Sequence, residues 1–422
     1  MRSRFAFLQV GLMLALPVVS LSAEPQWISA KAYEIPPETT SEGSGYFSII
    51  PGKDGRLYIG TAKYRENAFL VAFDPRDKQM QIVVDAHREI GTNAKGFAAQ
   101  AKIHTRNNVG SSGRIYFGTK QGYPKEGEQR SEYLGGYPMV YDPQTQKTRV
   151  YPIPVPHQGI ISITPDEARG VAYISTCSDE RPVESTHFVV LNLETGKYRD
   201  LLDCRHMYAF IVVDHLGRAY HPILGGDIAR YDPRSDKLER LKQTIDGQPP
   251  SAESLLADPN SHPINWDISP DHKTLYAVAM SGNQLYSYDL TGEGDTLAGH
   301  SLGKLLPDAD KTDCRGMCVG PRGTVWAAVW GSRGNEGALH LVRKSPQDAA
   351  PRDLGAVSVS NPDYTPFTDA DGKALPYHHG FRKTAEGVFT PLYHMGIAET
   401  EDGKVYMLVI DPYTVLEFDV PK

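Results

Sequence analysis

The chain has 422 residues, of which 40% are hydrophobic and 23% charged, a balance that excludes general disorder. Its 39 glycines and 31 prolines suit a turn-rich all-β protein. A formal charge of −7 argues against nucleic acid or an anionic membrane as a general partner, while leaving room for a local cationic pocket.

Residues 1–23 read as a signal peptide. Arg2 and Arg4 form a basic start, residues 5–21 an apolar core, and Leu21-Ser22-Ala23 a cleavage site before Glu24. No later run reaches the roughly 18 apolar residues of a membrane helix. The expected mature protein, residues 24–422, is secreted or periplasmic and carries 42 basic against 51 acidic residues. Four cysteines in an exported chain invite disulfides. Cys314 and Cys318 share one predicted strand and stand roughly 13 Å apart, beyond bridging distance. Cys177 and Cys204 fall in neighbouring repeats, where a bridge and two buried thiols are both open.

Residues 29–35 predict a first strand. A short motif then recurs seven times: a small turn, followed by β-formers around one aromatic residue. The aromatic positions are Tyr58, Tyr116, Tyr173, Tyr220, Tyr276, Trp326 and Tyr406, separated by 58, 57, 47, 56, 50 and 80 residues. A period near this length predicts a β-propeller, each repeat being one four-stranded blade. The motif is the second strand of its blade. Apolar runs such as Ile160-Ile161-Ser162-Ile163 precede it as the innermost strand, and Phe73-Asp74-Pro75, Tyr141-Asp142-Pro143 and Tyr231-Asp232-Pro233 end the third. The last repeat offers only three strands. Residues 29–35 supply its outer strand, closing a seven-bladed ring as one domain, residues 24–422.

Strand direction sorts the connections onto two ends of the ring. Turns at one end are short, whereas the long segments, residues 120–136, 177–187 and 358–393, all lie at the other. Function is expected at that elaborated end, on long loops held by a rigid scaffold. The beginnings of the innermost strands lie there too, beside the axis. They bring Tyr46, His104, His157, Arg205, His206, Tyr208, His262, Cys314, Arg315, Tyr393 and His394 to one level. Imidazoles exchange protons near neutral pH, and a tyrosine can act as a general acid or base. Arg205 and Arg315 can pair with a carboxylate and stabilise charge developing on it. Three histidines around an axis, His206, His262 and His394, could hold a divalent metal such as Zn, Mn or Ca. The recurring tyrosines are expected to be core aromatics, and His87, His215 and His272 solvated turn residues. Tyr377, His378, His379, Phe381 and Arg382 on the last long segment leave two readings open, an aromatic and basic lid or an ordinary mobile loop.

Lys102-Ile103-His104-Thr105, then Gly113-Arg114-Ile115-Tyr116-Phe117-Gly118-Thr119, and Gly135-Gly136-Tyr137 before Tyr141-Asp142-Pro143, resemble secreted propeller polysaccharide lyases. The likeness is to the seven-bladed ulvan lyases and, more distantly, the oligogalacturonate lyases. It implies β-elimination on a uronate-containing anionic polysaccharide, with His and Tyr moving protons and an Arg or metal neutralising the uronate. On this reading His104, Arg205, Tyr208 and His157 are the catalytic candidates, and Tyr123, Arg315, Tyr377 and Arg382 bind substrate. Where such lyases carry a second His after the first, this chain has Tyr123, and it lacks a Gln-x-x-His-x-His metal motif. Two other readings stand beside this one. One is a non-catalytic propeller binding glycan or protein. The other is a metal-dependent lactonase using Asn265 and Asp267.

Overall fold

The computed structural model describes residues 26–41, 48–179, 185–206, 208, 210–251, 264–334, 336–361 and 380–420. Each aromatic motif is the second strand of a four-stranded antiparallel sheet: Leu57–Gly60, Ile115–Gly118, Val171–Cys177, Ala219–Pro222, Thr274–Ala279, Val325–Arg333 and Val405–Val409. The innermost strands are Ile49–Pro51, Asn108–Val109, Gly159–Asp166, Val212–Val213, Ile264–Ile268, Lys311–Val319 and His394–Glu399. Each touches the innermost strand of the next sheet, and the seventh touches the first. The ring is therefore closed, and the protein is a seven-bladed β-propeller.

Trp27–Glu34 is the outer strand of the seventh blade, antiparallel to Thr414–Phe418, with Ala30 opposite Phe418 and Glu34 opposite Thr414. Its alternation explains the fit: Ile28, Ala30 and Ala32 face inward while Ser29 and Lys31 face solvent. Asn361 pins it, its side chain accepting from the Ala32 N–H at 2.8 Å and donating to the Ala32 carbonyl at 3.0 Å.

Some outer strands also pair across blades. Trp27–Glu34 runs parallel to Arg352–Val359, and Lys237–Ile245 runs parallel to Thr296–Lys304. These strands have eight or nine residues, against four to six for the outer strands of the first three blades. Their extra length carries unpaired backbone groups past their own blade, and the neighbouring edge satisfies them.

Six of the seven recurring aromatics are buried, Tyr276 is half-buried, and in five of them the polar atom meets a carboxylate. Tyr58 donates to Asp54 at 2.8 Å, Tyr220 to Asp214 at 2.9 Å and Tyr406 to Glu417 at 3.0 Å. Two bonds cross to the next blade, Tyr116 to Glu167 at 2.7 Å and the Trp326 indole to Glu399 at 2.8 Å. Asp214 also holds the buried Arg218 at 2.6 Å, and Arg218 reaches the Leu290 carbonyl of the fifth blade. All four cysteines are buried free thiols, so of the two alternatives for Cys177 and Cys204 the fold takes the unbridged one. His87 corrects an expectation: it is buried, and its Nε2 accepts from the Gln100 N–H at 3.0 Å. A Gln100 amide buried beneath the blade-two loop needs an acceptor, and the imidazole supplies it.

The axial channel is barred. Arg106, from the second blade, ion-pairs across it with Asp267 of the fifth at 2.5 Å and donates to the Trp266 carbonyl. Asp267 also accepts from the Val319 N–H at 2.8 Å, and Asn265 donates to the Cys314 carbonyl at 2.8 Å. The two residues weighed for a lactonase site are thus both engaged in holding inner strands together.

Candidate functional site

Above the Arg106 bar, at the elaborated end, the second, third and fourth blades enclose a cluster of charged and aromatic side chains. It begins with a backbone accident. Lys102 precedes the innermost strand of blade two, and Lys120 follows its second strand. The two face each other as an antiparallel bridge, exchanging N–H···O=C bonds of 3.1 and 2.8 Å. Directly opposed residues put their side chains on one face, so two ammonium groups arrive together. His104 lies two residues after Lys102 along extended chain and projects to that same side. Gly159 makes the space, since a Cβ there would sit 2.3 Å from the Lys120 Cγ.

Both lysines are fully buried. Lys120 ion-pairs with Asp179, and Tyr208 donates its hydroxyl to the other oxygen of that carboxylate at 2.7 Å. The Tyr208 ring lies 5.3 Å from the His104 ring, edge to face, and the Lys120 ammonium stands 5.0 Å from its centre. Lys102 faces two other rings, Tyr123 at 3.9 Å and Tyr64 at 5.1 Å. Asp179 and Tyr208 both adopt left-handed backbone, φ 61° and 51°, as do Arg205 and His157. For non-glycine residues this is uncommon, and at these positions the surroundings override local preference.

Burial and neighbouring charge set the protonation states. Burial pushes Lys102 down to about 7, helped by the like charge of Lys120. Burial opposes the charge on Lys120 as well, but the Asp179 carboxylate outweighs it and raises the pKa. Burial likewise works against the charge on Asp179, yet Lys120 and Lys102 hold the carboxyl well below its ordinary range. His104 is driven well below its ordinary value by burial first and then by the two lysines, so its imidazole is neutral. Tyr208 is raised by burial and by Asp179, so its phenol keeps its proton. A neutral base, a protonated phenol and a fixed ammonium–carboxylate pair thus share one enclosure.

The residues singled out from sequence divide into groups. His104, Tyr208 and Tyr123 come together in the cluster. Arg315 stands at the channel with its guanidinium on Asp313 at 3.0 Å, close enough for its charge to bear on His104. His394 is buried beneath it and accepts from the Arg315 N–H at 3.1 Å. Its pKa falls to about 3 through burial and then Arg315, making it a neutral link between blades six and seven. His206 is buried, and its backbone exchanges bonds with the Thr186 hydroxyl at 2.8 and 3.1 Å. His157 turns outward, exposed, with Nδ1 on the Tyr133 carbonyl at 2.7 Å. Arg205 is exposed, its N–H on Asp203 at 3.1 Å. Arg382 lies on a hairpin, Phe381–Lys383 with Phe389–Pro391, packed on blade six, and donates to the Gly337 carbonyl. His262, Tyr377, His378, His379 and Tyr46 lie outside the described residues. Among the described residues no group of three or more His, Cys, Asp or Glu is disposed to hold a metal.

Lys102, Lys120 and Asp179 were not singled out from the sequence. The available signal is confined to Lys120, two residues after the buried second strand Ile115–Gly118, where a solvated lysine is not expected.

No family model and no curated protein matches the sequence. Among solved structures, a streptogramin B lyase superposes with a TM-score of 0.56 at 14% identity, covering 92% of this chain and 96% of that one. The extracellular domain of a hybrid two-component system from B. thetaiotaomicron gives 0.51 at 10% identity, covering 94% of this chain and 40% of that one. At such identities the likeness speaks for the fold alone, and it agrees with the propeller seen in the sheets.

Proposed function

We propose that this protein is an exported lyase that cleaves a uronate-containing anionic polysaccharide by β-elimination in the cluster between blades two and four. The observation that carries the reading is the His104–Tyr208 contact, 5.3 Å between rings, set beside buried lysines. Elimination needs a base for the proton on C5, an acid for the leaving oxygen on C4 and positive charge near the carboxylate. Neutral His104 fits the base, taking the C5 proton as the electron pair forms the C4–C5 double bond. Tyr208 fits the acid, giving its proton to the departing oxygen as the C4–O bond breaks. Asp179 holds the phenol in position until then. The positive charge comes from the lysines rather than from Arg205, whose backbone contact with Asp203 turns it toward solvent.

Incubation with ulvan, pectic fragments and glycosaminoglycans, with and without added divalent metal, tests the reading through the ultraviolet absorbance of the unsaturated uronate. Product on any of these polymers supports it; absence of product on all of them ends it. The complete burial of Lys102 and Lys120 favours a second reading, a propeller that binds anionic glycan without cleaving it. That reading expects saturable binding without product, and only a modest affinity loss in His104→Ala.

A further inference from the structure

The long connection of blade two, residues 122–135, lies across the cluster as a strap. At one side Arg65 of blade one grips Glu128 through two bonds of 2.8 and 2.6 Å. At the other, Arg130 donates at 3.0 Å to the carbonyl of Ser178, the residue before Asp179. Between these anchors Tyr123 lies over the Lys102 ammonium. The strap ends at Gly135, whose φ of 134° favours glycine and suits a hinge.

A third anchor is titratable. Gln100, buried beneath the strap, binds it twice. Its side-chain amide donates to the Gly135 carbonyl at 2.9 Å, and its side-chain oxygen accepts the Tyr133 hydroxyl at 2.9 Å. Gln100 is held in turn by His87, whose Nε2 accepts its N–H at 3.0 Å. That bond exists only for a neutral imidazole, because a protonated ring donates from both nitrogens. A proton on Nε2 would point at the Gln100 N–H, leaving two buried donors face to face, and Gln100 could not keep its place. Burial holds His87 below its ordinary value of 6.5, with Asp85 working against this and Lys95 adding to it. The other charges around the helix Ala86–Ile90 are engaged or solvated. Arg88 pairs with Glu89, and on the facing outer strand of blade two Arg149 turns to Tyr151 and the Glu194 carbonyl while Lys147 is exposed.

We propose that residues 122–135 form a lid over the cluster and that His87 is its acid-sensitive latch, protonation of the imidazole releasing Gln100 and the lid with it. The closed state binds one proton fewer than the open one. Closure is therefore fully favoured above the ordinary histidine value of 6.5 and weakens as pH falls below it, by up to about tenfold per pH unit. The lid stands apart from the lyase reading, because it concerns access to the cluster and not the chemistry there.

Amide hydrogen exchange of the full protein tests this, read by mass spectrometry at about pH 7.5 and about pH 5.5, on either side of the histidine range, and corrected for the intrinsic pH dependence of exchange. In the wild type, residues 122–135 should lose protection by about tenfold in acid, whereas the blade strand Val171–Cys177 should keep it. His87→Gln, whose amide oxygen can accept the Gln100 N–H at either pH, should hold the lid closed and abolish the response. Arg65→Met should lower protection of the lid at both pH values alike, because Glu128, held at about 2 by Arg65, does not titrate in this range. Unchanged protection in the wild type, or a pH response that survives in His87→Gln, overturns the proposal. Should His87→Gln fail to fold, hydrogen exchange at the imidazole C2 position of wild-type His87 decides. A ring that titrates below 6.5 while the lid loosens supports the latch, and one that titrates at or above that value overturns it.

Discussion

The two ends of the ring use the same residue types to opposite effect. At the plain end, tyrosines and arginines meet carboxylates in matched sets: Tyr116 on Glu167, and Tyr220 and Arg218 on Asp214. Glu167 shows how complete the matching is. Burial pushes its pKa up, but bonds from Ser111, Ser112 and Tyr116 hold it down at about 2. At the elaborated end Asp179 serves both Lys120 and Tyr208, and Lys102 is packed under aromatic rings. Groups that are satisfied by one another stabilise a fold and have little left to offer a ligand. Groups held at the limit of what burial tolerates are the ones a ligand can relieve.

Substitutions at the two ends should separate these roles. The largest effect is expected for His104→Ala and Tyr208→Phe, each lowering turnover by about a hundred- to ten-thousandfold in a polysaccharide assay. The fold should survive in both, as read by circular dichroism. Comparable turnover in either variant would remove its residue from the chemistry. Arg218→Met inverts the pattern: it strands Asp214 in the core and should cost about 3–5 kcal/mol in denaturant unfolding. Its activity per folded molecule should be unchanged, because Arg218 lies at the end away from the cluster.

A third effect is acid sensitivity. Burial lowers His221 to about 4, despite its bond to the Pro222 carbonyl, and lowers His394 to about 3 with Arg315 adding to the effect. The unfolded chain takes up protons that these folded imidazoles refuse. Their contribution to stability is therefore whole above the ordinary value of 6.5 and is lost as pH falls from there towards 4 and 3. Melting temperature followed across that window should drop, and His221→Asn should flatten part of the slope. The smallest effects belong to the rim. Arg205→Ala and His157→Ala should leave melting and turnover close to wild type. A large loss of activity in Arg205→Ala would restore it as the neutralising residue and shift attention away from the lysines.

Much of the ring was legible because it is local and repeated. One aromatic per blade set the count, strand direction separated plain from elaborated ends, and a last repeat with only three strands pointed to the N-terminal segment as the closing strand. The parallel pairing of outer strands was not legible, since it depends on strand lengths in different blades. The cluster was half legible. His104 and Tyr208 stood out as chemistry-bearing types at strand starts. Lys102 and Lys120 did not, because composition treats lysine as a surface residue and only the bridge between two connecting segments brings the amines together. The expected level of five histidines resolved into different fates. His104, His206 and His394 are buried, His157 faces solvent through a left-handed turn, and His262 lies outside the described residues.

The ion pair between Arg106 and Asp267 gives this architecture a traffic rule. With the bore blocked, no polymer can be threaded through the ring like a cord through a bead. On the lyase reading, a long glycan would lie across the mouth, dip one sugar toward the cluster and withdraw by the route it came. On that same reading, arrival and departure would compete for one doorway whatever the chain length of the substrate.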